Sequence, residues 1–99
     1  MIGWMARSLA GHDKNKIYII IEETDTCVWL VDGDIRLLEN PKCKKKKHIQ
    51  VIKQYADEEL AQVLIQRLKE HQSDWKTVRI NETIKRAIKL YKQSITEHE

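Results

Sequence analysis

Phenylalanine is absent from the 99 residues, and glycine (three), proline (one) and cysteine (two) are scarce. Two cysteines without a C-x-x-C spacing are too few for a disulfide framework, and they form no zinc-site spacing with the scattered histidines. We therefore expect free thiols in a reducing cytoplasm and no metal. The longest apolar run, residues 17–21, is too short to span a bilayer, and no charged segment followed by an apolar one opens the chain, so we expect no signal peptide.

The sequence also lacks the residue patterns that carry catalysis in most enzymes. It contains no recognisable pair of nucleophile and general base, no paired carboxylates and no glycine-rich loop of the kind that cradles a nucleotide. Asp32 and Asp34 flank a predicted turn, which is sufficient to explain them. We therefore expect a non-catalytic protein with no cofactor and no small-molecule substrate.

Positive charge, in contrast, is strongly concentrated in one segment. Residues 36–53 carry seven basic side chains and one acidic side chain, a net charge of +6, whereas the whole chain carries +3. Residues 55–99 contain eight of each kind. A local positive field of this type predicts a polyanionic partner. A solvated charge run without a specific partner is the alternative.

The first half of the chain has the pattern of short strands separated by tight turns. Each candidate strand is short and rich in apolar, β-branched or aromatic residues. The predicted strands are residues 4–9, 17–21, 27–31, 35–38 and 49–52. Asp32-Gly33 between two apolar runs predicts a hairpin turn. Five short strands in about fifty residues favour a small closed barrel, because closure removes the exposed sheet edges.

The second half of the chain has the 3.6-residue period of helices. Leucine and valine recur at this spacing over about residues 58–71, and Asp57 is the predicted N-cap. Asn81 is predicted to cap a second helix after a break at residues 72–74. The predicted class is α+β, with a barrel at residues 1–54 and a helical extension at residues 55–99 that packs on the barrel or on a partner.

Residues 3–21 combine a short strand, the turn Gly11-x-x-Lys14-x-Lys16 and an apolar strand. This arrangement resembles the KOW motif of archaeal and eukaryotic large-subunit ribosomal proteins, and still more closely that of small bacterial KOW-domain RNA-binding proteins. Three further segments resemble that group in the same order, namely Val31-Asp32-Gly33, Leu38-Glu39-Asn40-Pro41-Lys42 and His48-Ile49-Gln50. The resemblance covers roughly residues 3–53, and a weaker one covers residues 81–88.

The resemblance implies an SH3-like barrel that binds structured RNA through its loops, and it does not specify which RNA. We expect ribosomal or other structured RNA. The resemblance implies neither catalysis nor a cofactor. The chain departs from the family at Asn15, where a second glycine is usual. Asparagine tolerates the left-handed backbone conformation better than other non-glycine residues, so we expect the turn to keep its shape.

We predict an RNA-binding surface made of the loop at residues 11–16 and of residues 42–47, which we call the lysine run. Gly11 would let the backbone approach a phosphate, and Arg7 would donate two hydrogen bonds to a phosphate. The lysine run is expected to be an extended, mobile segment between two strands that orders against a polyanion. The candidate RNA-binding residues are Arg7, Ser8, Gly11, His12, Lys14, Lys16, Lys42, Lys44, Lys45, Lys46, Lys47 and His48.

Aromatic residues offer possible platforms for base stacking, but barrel cores commonly contain such side chains. We therefore predict core positions for most of Trp4, Tyr18, Trp29 and Tyr55.

The helical half leaves two alternatives open. The basic face carrying Arg79, Lys85, Arg86, Lys89 and Lys92 either contacts RNA or is simply solvated, and three of these residues, Lys85, Lys89 and Lys92, recur at i, i+4 and i+7. Alternatively, the helices bind a protein of the transcription or translation machinery, with Trp75 or Tyr91 as exposed anchors.

Overall fold

The computed structural model describes residues 1–52, 58–70 and 75–97. These residues form five strands, one 3₁₀ turn and two α-helices. The elements are β1 (Met5–Ser8), β2 (Ile17–Glu23), β3 (Cys27–Val31), β4 (Lys42–Lys45), the 3₁₀ turn (Lys46–His48), β5 (Ile49–Ile52), α1 (Glu58–Glu70) and α2 (Trp75–Glu97). The predicted α+β class is therefore confirmed. Neither helix, in the part of the chain described, is long and apolar enough to cross a membrane.

All five strands form one antiparallel sheet with the spatial order β4-β3-β2-β1-β5. The first strand pairs on both sides, so that Met5 lies opposite Ile19 of β2 and Ile52 of β5. Residues 17–21 of β2 are all buried, as their β-branched and aromatic side chains predict. The register of β2 and β3 shifts between Ile20 and Glu22, which is the signature of a β-bulge.

The fourth strand does not lie where the sequence pattern predicts it. The expected strand at residues 35–38 is wrong, because residues 32–40 form a loop of turns and bends. Asp32 Oδ1 accepts hydrogen bonds from the backbone N–H groups of Asp34 (2.9 Å) and Arg36 (2.8 Å), which removes two donors from any strand ladder. The N–H of Leu38 donates instead to Asn81 Oδ1, at 2.9 Å.

The lysine run supplies the missing strand. Most of it forms β4, which pairs with β3 so that Lys44 lies opposite Val28 and Lys42 opposite Leu30. The remaining residues form the 3₁₀ turn that leads into β5. The run is extended, as expected, but the prediction that it lies between two strands is wrong, since most of it is itself the strand at one edge of the sheet.

The first helix agrees with its predicted range, but the second begins six residues earlier than Asn81. Asn81 is therefore not an N-cap. It is a buried residue within α2, and its side-chain amide also donates to Glu39 Oε1 at 3.2 Å. Asn81 thus joins α2 to the loop that precedes β4. The predicted cap Asp57 and the predicted break at residues 72–74 lie outside the described residues.

Each face of the sheet carries a hydrophobic cluster. The first cluster joins strand residues such as Ile19 to Leu64 of α1 and Ile84 of α2, so the helices pack on the sheet. Tyr91 is also buried in this cluster, which makes its predicted role as an exposed anchor wrong. The second cluster comprises Ala6, Tyr18, Ile20, Val28, Leu30 and Ile49. The predicted core position of Tyr18 is confirmed, and Tyr55 lies outside the described residues.

Candidate nucleic-acid interface

Asp13, in the loop between β1 and β2, organises the candidate site. Its carboxylate oxygens lie 2.7 Å from Lys44 Nζ and 3.0 Å from Lys42 Nζ. The hydroxyl oxygens of Ser8 and Tyr18 each lie 2.9 Å from the same carboxylate. The lysines belong to β4, Ser8 to β1 and Tyr18 to β2. One carboxylate therefore ties the loop to three strands.

These contacts determine the ionisation of the cluster. Burial alone would raise the pKa of Asp13, but hydrogen bonds from Lys44, Lys42 and the two hydroxyls outweigh it and hold the pKa well below the usual range. Burial, reinforced by the hydrogen bond to the Asp13 carboxylate, raises the pKa of Tyr18. At neutral pH Asp13 is therefore an anion and Tyr18 a protonated donor.

The loop that carries Asp13 has the tight shape that the sequence predicts. Gly11 has a φ of +88° and Asn15 a φ of +73°, so the predicted left-handed conformation of Asn15 is confirmed. Backbone hydrogen bonds from Lys14 to Gly11 (3.2 Å) and from Lys16 to Asp13 (2.9 Å) close the loop on itself. The Asn15 N–H donates to the Ser8 carbonyl at 2.8 Å.

A second buried carboxylate holds the last lysine of the loop. Lys16 Nζ lies 2.8 Å from Asp32 Oδ2 and 5.3 Å from the centre of the Tyr18 ring. Burial would raise the pKa of Asp32, but the bonds from Lys16 and from the backbone N–H groups of Asp34 and Arg36 lower it overall. Asp32 therefore shapes its own loop and positions a predicted RNA-binding lysine.

The structure brings the two parts of the predicted surface together at one end of the sheet. We call residues 11–16 and 42–48 together the lysine rim. Lys16, Lys42 and Lys44 pair with Asp32 or Asp13, and Lys46 Nζ lies 3.0 Å from Glu23. In residues 1–52, 58–70 and 75–97, no carboxylate pairs with the other predicted cations, which are Arg7, Lys14, Lys45 and Lys47.

The remaining predicted residues have different positions. Ser8 is fully buried, so its hydroxyl serves the Asp13 cluster. Gly11 serves the turn conformation and lies beside Lys44 Nζ. His12 is exposed at the loop, and His48 is half-buried at the end of the 3₁₀ turn.

Sequence reasoning missed the two carboxylates that organise the rim. A signal for Asp13 exists, since it is the single acid in a loop that also carries His12, Lys14 and Lys16. A lone acid among cations is a candidate counter-ion for them. Asp32 has no comparable signal, because its contact with Lys16 joins residues from different loops.

Other kinds of site find less support among the described residues. No group of three or more His, Cys, Asp or Glu side chains there could hold a metal ion, and Cys27 and Cys43 are free. The Trp75 side chain lies outside the part of the molecule described. Comparison with known protein families and with curated proteins finds no match for the chain. The charged rim is therefore the feature from which a function can be inferred.

Proposed function

We propose that the chain is a non-catalytic RNA-binding protein built on an SH3-like barrel of the KOW type. We propose further that it acts on ribosomal or other structured RNA in the cytoplasm, where its two thiols would remain reduced. The lysine rim carries the proposal, because it gathers cations from two separate segments of the chain on one preformed surface.

Two observations support a sheet that curls into a barrel. Lys44 Nζ of β4 donates to the carbonyl of Ala10, just beyond β1, at 2.8 Å. In a flat sheet β4 and β1 would be about 14 Å apart, because neighbouring strands are about 4.8 Å apart and β3 and β2 lie between them. In addition, the cluster around Tyr18 is buried although both helices belong to the opposite cluster. A curled sheet can bury such a face by covering it with its own strands.

The charges of the rim suit a phosphodiester backbone. Asp13 neutralises part of the charge of Lys42 and Lys44 and fixes their position, so these two lysines mainly hold the rim together. Lys14, Lys45 and Lys47 are exposed around this anchor. Each can release counterions from a phosphate, which gives the binding free energy its salt dependence. Double-helical RNA is read mainly through shape and backbone contacts of this type.

The test compares two variants that each lose two positive charges. Lys45→Gln/Lys47→Gln removes exposed cations from the rim, and Arg79→Gln/Arg86→Gln removes exposed cations from α2. With a fluorescein-labelled RNA hairpin, the rim variant should bind at least about tenfold more weakly near 0.1 M salt. The slope of log affinity against log salt should be shallower by about 1.5. The α2 variant should bind much like the wild type.

Equal affinities and equal salt slopes for the wild type and the rim variant would contradict the proposal. Crosslinking of the protein to cellular RNA, followed by sequencing, identifies the target. Enrichment of ribosomal RNA supports a ribosome-associated role, and enrichment of messenger RNA alone argues against it.

A further inference from the structure

A groove of about 700 Å³ lies between α2 and the strand end that follows the loop at residues 11–16. Lys85, Lys89 and Lys92 line it from α2, and Lys16 lines it from the end of the loop that precedes β2. Ile17 and Ile88 contribute apolar lining. The groove therefore unites three lysines from one face of α2 with a residue of the lysine rim, although the helix and the rim are far apart in the sequence.

The walls of the groove are fixed against each other by close backbone packing. Gly33 has a φ of +76°, and a Cβ at this position would lie only 2.7 Å from the backbone nitrogen of Lys85. The hydrogen bond from Leu38 to Asn81 holds the same loop to α2 one turn earlier. The fold thus sets the distance between the helix lysines and the loop that contains Gly33. Ligand binding would therefore not have to order the two walls of the groove.

The charges in the groove favour an anion. Of the two carboxylates that line it, Asp32 is almost completely buried and is paired with Lys16 at 2.8 Å. Asp34 lies 3.7 Å from Lys85, with both side chains more than 60% exposed (63% and 62%). An exposed pair of this type is weak and is easily exchanged for a phosphate. Lys89 and Lys92 add two further positive charges on the same face of the helix.

The groove is also continuous with the lysine rim. The loop at residues 11–16 contacts Lys42 and Lys44 through Asp13, and it ends at Lys16, which lines the groove. Lys14 is exposed between these two contacts. A backbone that follows the positive charge from β4 would therefore pass over this loop and reach the helix lysines.

We propose that this groove is a second phosphate-binding site, and that one RNA molecule occupies the rim and the groove together through its backbone. The inference rests on the proposed function, since it extends the path of the same RNA. Arg79 and Arg86 do not line the groove, although they belong to the same basic helix. The proposal thus divides five of the basic residues of α2 into three that contact phosphate and two that do not.

The experiment again uses variants matched for charge. Lys85→Gln/Lys89→Gln should bind the RNA hairpin about tenfold more weakly near 0.1 M salt, with a salt slope shallower by about 1.5, whereas Arg79→Gln/Arg86→Gln changes neither appreciably. In the opposite direction, Asp34→Asn removes an exposed acid from the groove and should tighten binding severalfold. Glu59→Gln removes an exposed acid from α1 and should leave the affinity unchanged.

The outcomes separate this inference from the proposed function. Suppose that Lys45→Gln/Lys47→Gln weakens binding of the hairpin, but Lys85→Gln/Lys89→Gln weakens it no more than Arg79→Gln/Arg86→Gln does. The second site is then refuted and the rim proposal stands. A wild-type protein that does not retain the hairpin in dilute buffer would overturn both. Thermal melts followed by circular dichroism check that these exposed substitutions leave the fold intact.

Discussion

Asp13 is a carboxylate at the centre of a surface that otherwise carries positive charge. Its ion pairs with Lys42 and Lys44 lower the net charge of the rim, yet they also fix the loop to β4. The side chain of Asp13 is only 10% exposed, so removal of the charge would leave two lysine ammonium groups without their counter-ion in a partly desolvated place. Asp13 therefore fixes the geometry of the rim, although its negative charge lowers the positive charge that the rim presents.

We expect Asp13→Asn to lower the free energy of unfolding at neutral pH by about 2 kcal/mol, because it breaks a partly buried charge cluster. The pKa of Asp13 is lower in the folded chain than the value of about 3.9 typical of unfolded chains. Its contribution is therefore complete above about pH 4 and is lost as the pH falls further. The wild type should lose more stability than the variant between about pH 5 and pH 2.

Urea denaturation at a series of pH values measures both effects. Asp25→Asn is the matched control, because Asp25 is exposed and forms no ion pair with the other described residues. If Asp13→Asn and Asp25→Asn had the same pH profile, the cluster would not stabilise the fold.

At the scale of elements, the sequence predicts four of the five strands and one helix closely. The pattern fails at residues 35–38, where apolar residues favour a strand but side chains of Asp32 and Asn81 take the backbone donors. It fails again at the lysine run, because local composition does not reveal that β3 offers a free edge to pair with. In both cases hydrogen-bond partners decide the structure. Asn81 and β3 are distant in the sequence, and Asp32 acts within a single turn.

The packing of the Gly33 loop on α2 gives a prediction at this scale. Gly33→Ala should destabilise the protein by about 3 kcal/mol or more, because it adds a strained φ and a clash with the helix backbone. Gly11→Ala is the matched substitution. Gly11 has a similar φ, but its Cβ would find its nearest neighbour at 3.6 Å, so only the conformational cost of about 1–2 kcal/mol applies.

Chemical denaturation measures the free energy of unfolding of the two glycine variants and so compares their losses of stability. Equal destabilisation would mean that the loop does not pack on α2 as tightly as the structure indicates.

For the whole molecule, one hydrophobic cluster joins the sheet to both helices. Ile19 of β2, Leu64 of α1 and Ile84 of α2 are all at most 2% exposed within it. The sequence predicts the apolar stripes that form this cluster, but it leaves open whether they pack on the sheet or on a partner. The division into residues 1–54 and 55–99 therefore coincides with a change of local pattern and not with a gap in the core.

A shared core predicts unfolding in a single transition. Ile84→Ala should lower the free energy of unfolding by about 3 kcal/mol, whereas Val63→Ala, at a 45% exposed position, should have a much smaller effect. The helical signal in circular dichroism and the tryptophan fluorescence should shift together in denaturant. Separate midpoints for the two signals would show that the helices and the sheet unfold independently.

The position of β4 as an edge strand of the sheet has one more consequence. An unpaired strand edge invites another polypeptide to add to it, and such addition leads to aggregation. Within residues 1–52, 58–70 and 75–97, no strand covers the outer side of β4, but an incoming chain would meet the ammonium groups of a strand that is three-quarters lysine. Electrostatic repulsion between the lysines of two such strands thus protects the open edge against a second copy of this chain, and a bound polyanion would remove that protection at the same time as it occupies the surface.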